Sequence, residues 1–186
     1  MDVTWESLEN SCHHCTRCAL SKGRNRVVFG VGRRDAALMF VGEGPGYHED
    51  MQGEPFVGAA GQLLDKMLAA IDLTRQDVYI ANIVKCRPPG NRDPLPEERQ
   101  ACLPYLRGQY ALIRPKIIVC LGRVAAQSLI DASFKITQQR GKWHERKGVA
   151  MVATYHPSAL LRDNDKKRPA WEDFKAIKQR LAAMEA

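Results

Sequence analysis

The chain has 186 residues, enough for one domain with a substantial core, and its 45% apolar and 26% charged residues exclude a disordered or fibrous polypeptide. Its 28 Lys and Arg against 21 Asp and Glu leave a formal charge of +7, which favours a polyanionic partner such as nucleic acid without requiring one. The longest apolar run, IIVCLG at 117–122, is too short to span a bilayer, and the opening MDVTWESLEN lacks a basic flank leading into an apolar stretch; no membrane, no signal peptide and a cytoplasmic address are expected.

In chain order, residues 4–10 read as a short helix leading into CHHCTRC at 12–18. ALMFVGEGPG at 37–46 is an apolar run stopped by glycines, the pattern of a buried strand entering a tight loop. Leu63, Leu64, Met67, Leu68 and Ile71 recur at helical spacing and predict a helix over 59–71. DVYIANIV (77–84) and KIIVCLG (116–122) read as strands on either side of PEERQACLPYLRGQYALI (96–113), a helix with proline and acidic residues in its first turn. RVAAQSLI (123–130) is a shorter helix, VAMVATYHP (149–157) a strand halted by Pro157, and 168–184 an amphipathic helix. Strands alternating with helices imply a single α/β domain over 1–186, with a parallel sheet covered on both faces and ligands beyond the carboxyl ends of the strands.

In a reducing compartment the six cysteines are not expected to form disulfides. Cys120, inside IIVCLG, reads as a small buried hydrophobe. The remainder are Cys12, Cys15 and Cys18, at a spacing of three that leaves open which two form a CxxC pair, then Cys86 and Cys102 with fifteen residues between them. Four thiolates at such positions can hold zinc or a [4Fe–4S] cluster, and spacing alone leaves the two open, beside the plainer reading of ordinary buried thiols. A thioredoxin-like role fits poorly, because the CxxC does not lie between a strand and a helix. His13 and His14 are minor alternative ligands; His48 and His144 read as solvated.

The chemistry-bearing loops fall on one sheet edge. GEGPGYHED (42–50) has Gly42, Gly44 and Gly46 for close backbone approach, with Glu43, Glu49 and Asp50 beside them. It is neither a GxGxxG nor a Walker loop, and a tight turn with solvated acids accounts for it equally. Phe56, in the glycine-rich GEPFVGAAG, could stack on a base or staple the following helix. Asn82 ends a strand, where its amide can pair with one edge of a base or cap a turn. His156 precedes Pro157, which holds it extended, and can donate to a developing anion.

In order and spacing, these segments resemble the uracil-DNA glycosylase superfamily, and most closely its family 4, the iron–sulfur uracil-DNA glycosylases. The match runs from CTRCALSKGRNRVVFG through GEGPGYHED, GEPFVGAAGQLL, ANIVKCRPPGNRDP and IIVCLG to YHPSALL. The resemblance implies a three-layer α/β/α fold around a four-stranded parallel sheet. It implies a structural [4Fe–4S] cluster on Cys15, Cys18, Cys86 and Cys102, with Cys12 a spare thiol that remains a possible substitute ligand. The implied reaction is hydrolysis of the uracil–deoxyribose bond in single- or double-stranded DNA by a monomer, with the base everted from the stack. Phe56 would stack on uracil, Asn82 would read N3–H and O4, and His156 would donate to O2. Glu49 would exclude the thymine methyl, Asn91 would stand near the attacking water, and Gly42, Glu43 and Gly44 would line the pocket. Gly44 stands where better-known superfamily members carry an aspartate, so a dissociative path without a strong general base is expected. Ser158 would contact a phosphate, as would Arg162, Lys166, Lys167 and Arg168, and Leu160 would fill the gap left by the base. Rival readings are a superfamily enzyme for other bases, and a non-catalytic iron–sulfur DNA-binding protein. The branch that is trapped covalently on DNA carries a histidine after the second strand that NIVKCRPPGNRDPLPEERQ lacks.

Overall fold

The computed structural model describes residues 2–186. Helix α1 (Trp5–His13) is set by a capping box: the Ser7 amide donates to Thr4 Oγ1 (3.1 Å) and the Thr4 amide to Ser7 Oγ (3.0 Å). Then come β1 (Val31–Gly32), β2 (Leu38–Gly42), α2 (Tyr47–Gln52), α3 (Ala59–Ala70), β3 (Tyr79–Asn82) and α4 (Pro96–Ile113). The chain continues through β4 (Ile117–Leu121), α5 (Arg123–Leu129), α6 (Ile136–Gln139), β5 (His144–Arg146), β6 (Val149–Thr154), α7 (Pro157–Arg162) and α8 (Lys167–Glu185). Helix α4 begins where the sequence places it, with Pro96 in its first turn, where a missing N–H costs nothing, and Glu98 accepting from the Leu95 amide at 2.7 Å.

The sheet order is β1-β3-β2-β4-β6-β5. Its four central strands are parallel, as expected, and β1 and β5 add antiparallel edges that the sequence did not suggest. Side chains alternate between faces. Met39, Val41, Ala81, Ile118, Cys120, Met151 and Ala153 meet α1, α4 and α5 on one side. Leu38, Phe40, Ile80, Ile117, Val119, Leu121, Ala150 and Val152 meet α3 and α8 on the other. This is a three-layer α/β/α arrangement. No helix among the described residues is long and apolar enough to cross a membrane.

From β2 the chain moves outward to β3, then returns past β2 to β4. That reversal opens a crevice at the carboxyl ends of β2 and β4, where open α/β sheets place ligands.

Candidate active site

A cavity of about 730 Å³ opens at this crevice. Its lining draws on the loops after β2, β3, β4 and β6, among them Glu43, Gly44, Phe56, Asn82, Arg123 and His156. Gly42 lies beneath: a Cβ there would stand 2.5 Å from both Asn82 Oδ1 and Phe56 Cζ. The amide and the phenyl ring therefore meet over the end of β2, and only glycine leaves them room. Phe56 and His156 stack with centroids 5.4 Å apart and planes at 29°. The three side chains expected to share one small ring thus line one cavity.

Phe56 has φ +54, a left-handed conformation that a bulky residue seldom adopts and that costs about 1–3 kcal/mol. It is pinned from outside the pocket. The Arg75 guanidinium donates to the Phe56 carbonyl, and to the Pro55 carbonyl at 3.0 and 3.1 Å. The same carbonyl occupies the place a Cβ on Gly61 would take. Arg75 and Gly61 carry no sequence signal for this role; the left-handed loop brings them to it.

Asn82 is 2% exposed, and its Oδ1 has no hydrogen-bond partner. A buried acceptor left unpaired costs roughly 1–3 kcal/mol, so this one is suited to a donor arriving from the pocket. His156 Nδ1 accepts from the Ser158 amide at 3.1 Å and lies 2.8 Å from Ser158 Oγ. With Nδ1 accepting, the neutral ring carries its proton on Nε2. Burial, with Arg162 adding repulsion, pushes His156 down to about 4, so the imidazole is neutral at physiological pH and still a donor.

Both Glu49 oxygens are occupied: Oε1 accepts from the Gly46 amide (3.0 Å), and Oε2 from the amides of Val57 (3.0 Å) and Gly58 (2.8 Å). The carboxylate ties the loop before α2 to the Phe56 loop and stands in the lining as a fixed wall. Glu43 is different. Burial raises it to about 7, Asp93 reinforces the shift by charge and hydrogen bond, and Arg123 and Arg99 oppose it. Asp93 is itself ion-paired with Arg123. This Glu43–Asp93–Arg123 group was missed in the sequence, although Asp93 lies two residues beyond Asn91 in the same loop. Asn91 is exposed at the rim with φ +57, its Oδ1 accepting from Arg87 Nε at 2.7 Å, which leaves its NH2 free.

Ser158 lines the cavity and holds His156 through both its amide and its hydroxyl, which orients the ring. Leu160 is 1% exposed, packed with Tyr155 and Ala170, and cannot enter a duplex; Leu161, 50% exposed, is the apolar side chain that α7 presents outward. Arg162 and Lys166 line the cavity, and Lys167 and Arg168 are exposed at the start of α8.

A second cavity, on the α1/α4 side of the sheet, is ringed by Cys12, Cys15, Cys18, Cys86 and Cys102. Cys120 is separate and fully buried in β4, as expected. No three His, Cys, Asp or Glu side chains among the described residues are placed to share one metal ion. A tetrahedral zinc would need sulfurs about 3.8 Å apart. A [4Fe–4S] cluster takes one thiolate at each of four iron corners and suits a ring around a void. Donors already face the sulfurs: the Lys85 amide to Cys102 Sγ (3.2 Å), Arg24 Nη1 to Cys86 Sγ (3.4 Å) and the Arg17 amide to Cys15 Sγ (3.5 Å). Burial pushes Cys102 up to about 11 and raises Cys86, while the nearby cations of Lys85 and Arg24 favour thiolate. This donor set fits an anionic iron–thiolate cluster. The two sites are joined by β3: Asn82 precedes Cys86 by four residues, and bonds from the Ile83 amide to the Gly42 carbonyl (2.9 Å) and from the Val84 amide to the Glu43 carbonyl (3.2 Å) prolong the ladder between them.

Residues 29–175 match the uracil DNA glycosylase superfamily. A type-4 uracil-DNA glycosylase of Archaeoglobus fulgidus is 50% identical over 88% of this chain and 86% of its own length. One from Thermotoga maritima is 46% identical over 88% of each chain, and one from Sulfurisphaera tokodaii 44% identical over 94% of this chain and 83% of its own. The chain belongs to the uracil-DNA glycosylase superfamily and, within it, to the type-4 group.

Proposed function

We propose that this member of the type-4 group excises uracil from DNA by hydrolysing its N-glycosidic bond, leaving an abasic site for base-excision repair. The observation that carries the reading is the orphaned Oδ1 of Asn82, buried beside a stacked aromatic pair in the cavity. Uracil N3–H is the donor it lacks, and Asn82 Nδ2 donates to O4. Cytosine presents the reverse pattern and leaves both groups unpaired, a mismatch that sites of this kind reject by about 10⁴–10⁵. Thymine differs by a methyl, which the immobile Glu49 wall excludes.

As the glycosidic bond breaks, its electron pair goes to the base and the sugar becomes oxocarbenium-like. His156 Nε2–H donates to O2, where the charge collects; a neutral donor serves here, since it need not surrender its proton. Glu43 and Asp93, with Asn91, hold the water that adds hydroxide to C1′, and their negative charge stabilises the sugar cation. The water's second proton passes to this carboxyl pair and on to solvent, and the departing base is protonated in its turn.

Cys15, Cys18, Cys86 and Cys102 would hold the [4Fe–4S] cluster. When bound, it supplies a structural brace between α1, β3 and α4, and no step of the hydrolysis passes through it. Every group named lies on one chain, so a monomer suffices.

Release of free uracil from a uracil-containing oligonucleotide, with thymine and cytosine controls, tests the reading. Uracil release that is lost in Asn82→Ala and His156→Ala supports it. DNA binding without base release would instead identify a non-catalytic iron–sulfur DNA-binding protein.

A further inference from the structure

Five sulfurs ring the second cavity, and a cubane has four corners. Cys12 ends the buried face of α1 and is 1% exposed, more deeply enclosed than Cys15 or Cys18. It lines the cavity together with the other four, and its thiol is close enough to Cys15, Cys86, Cys102 and Lys85 for their charges to bear on it. It is not displaced to another part of the core, as Cys120 is. The backbone also links it to Cys15: the Cys15 amide donates to the Cys12 carbonyl at 3.2 Å, so the two residues bracket a single turn. Cys15 is the more accessible of the pair, and its sulfur is met by the Arg17 amide in a loose turn at the end of α1.

We propose that Cys12 is a reserve ligand of the iron–sulfur site, able to take the corner held by Cys15. The exchange is redox-neutral. An iron–sulfur bond to Cys15 is replaced by one to Cys12, the iron keeps its oxidation state, and the departing Cys15 thiolate takes up a proton as the Cys12 thiol gives one up. Because Cys12 lies at the end of a helix and Cys15 in the turn after it, the movement needed is a shift of that one turn. This inference rests on the cluster reading of the cavity and is independent of the uracil chemistry.

The test is iron and acid-labile sulfide per chain, with the visible absorbance of iron–thiolate charge transfer, in anaerobically prepared wild type, Cys12→Ser, Cys15→Ser and the double variant. Cys12→Ser should load like the wild type. Cys15→Ser should also retain a cluster, and the double variant should lose it. A Cys15→Ser protein as empty as the double variant overturns the proposal, and so does an empty Cys12→Ser protein, which would make Cys12 an obligatory ligand. Should Cys15→Ser fail to fold, bleaching of the visible band in air supplies the answer from two proteins that retain Cys15. Faster loss in Cys12→Ser than in wild type supports a reserve role, and equal rates overturn it. Absence of iron from the wild type itself would refute the cluster reading and the exchange with it, whereas loss of iron in Cys15→Ser beside a loaded wild type overturns the exchange alone.

Discussion

At Asn82 one buried oxygen lacks a partner, and on the proposed reading it chooses between bases, so the sharpest expectations lie at single residues. Asn82→Ala and His156→Ala should each lower single-turnover uracil release by about 10²–10³, as removal of one preorganised donor does. The pH profile separates the two kinds of titrating group. His156, held near 4, contributes no inflection around the ordinary histidine value. Glu43, raised to about 7, is protonated below that pH and ionised above it, so the rate should climb with pH through neutrality. Glu43→Gln should abolish that limb. Asp93→Asn removes a neighbouring negative charge, so it should move the limb to lower pH. A limb unmoved in both variants would assign the titration to another group.

Among the elements, the strands and long helices were legible because burial writes a period into them. Leu63, Leu64, Met67, Leu68 and Ile71 announce α3, and the unbroken apolar runs of β2, β4 and β6 announce strands covered on both faces. The edge strands were illegible for the opposite reason. Val31–Gly32 and His144–Arg146 are two and three residues long, half exposed and without a pattern; tertiary pairing alone makes them strands. The site was legible where a residue is chemically out of place, as Asn82 is at the end of an apolar strand. It was illegible where the loop's path decides. Arg75 and Gly61 fix Phe56 from another element, and Leu160 points inward where Leu161 does not. From the contact between α3 and this loop, Gly61→Ala should force the Phe56 carbonyl aside. The expected destabilisation is about 1–3 kcal/mol in denaturant unfolding, with a matching loss of uracil release because the ring leaves its place. A Gly61→Ala protein that keeps wild-type stability would show that the loop can yield.

For the molecule as a whole, the +7 charge includes Arg162 and Lys166 in the cavity lining, with Lys167 and Arg168 next in the chain and exposed at the start of α8. If Lys167 and Arg168 each contact a phosphate, replacing both with Gln should flatten the plot of log affinity against log salt. The slope should fall by about 0.7 per contact on single strands and about 0.9 on duplex, with base choice unchanged. An unchanged slope would place both side chains off the DNA path. The continuation of the β2–β3 ladder past its strand ends, from Asn82 to Cys86, has a wider consequence. On the proposed reading, the segment that pairs with the base is also the one a cluster would anchor, so an organism starved of iron would lose this safeguard against cytosine deamination gradually, chain by chain. Mutation rate in such cells would then follow their nutrition.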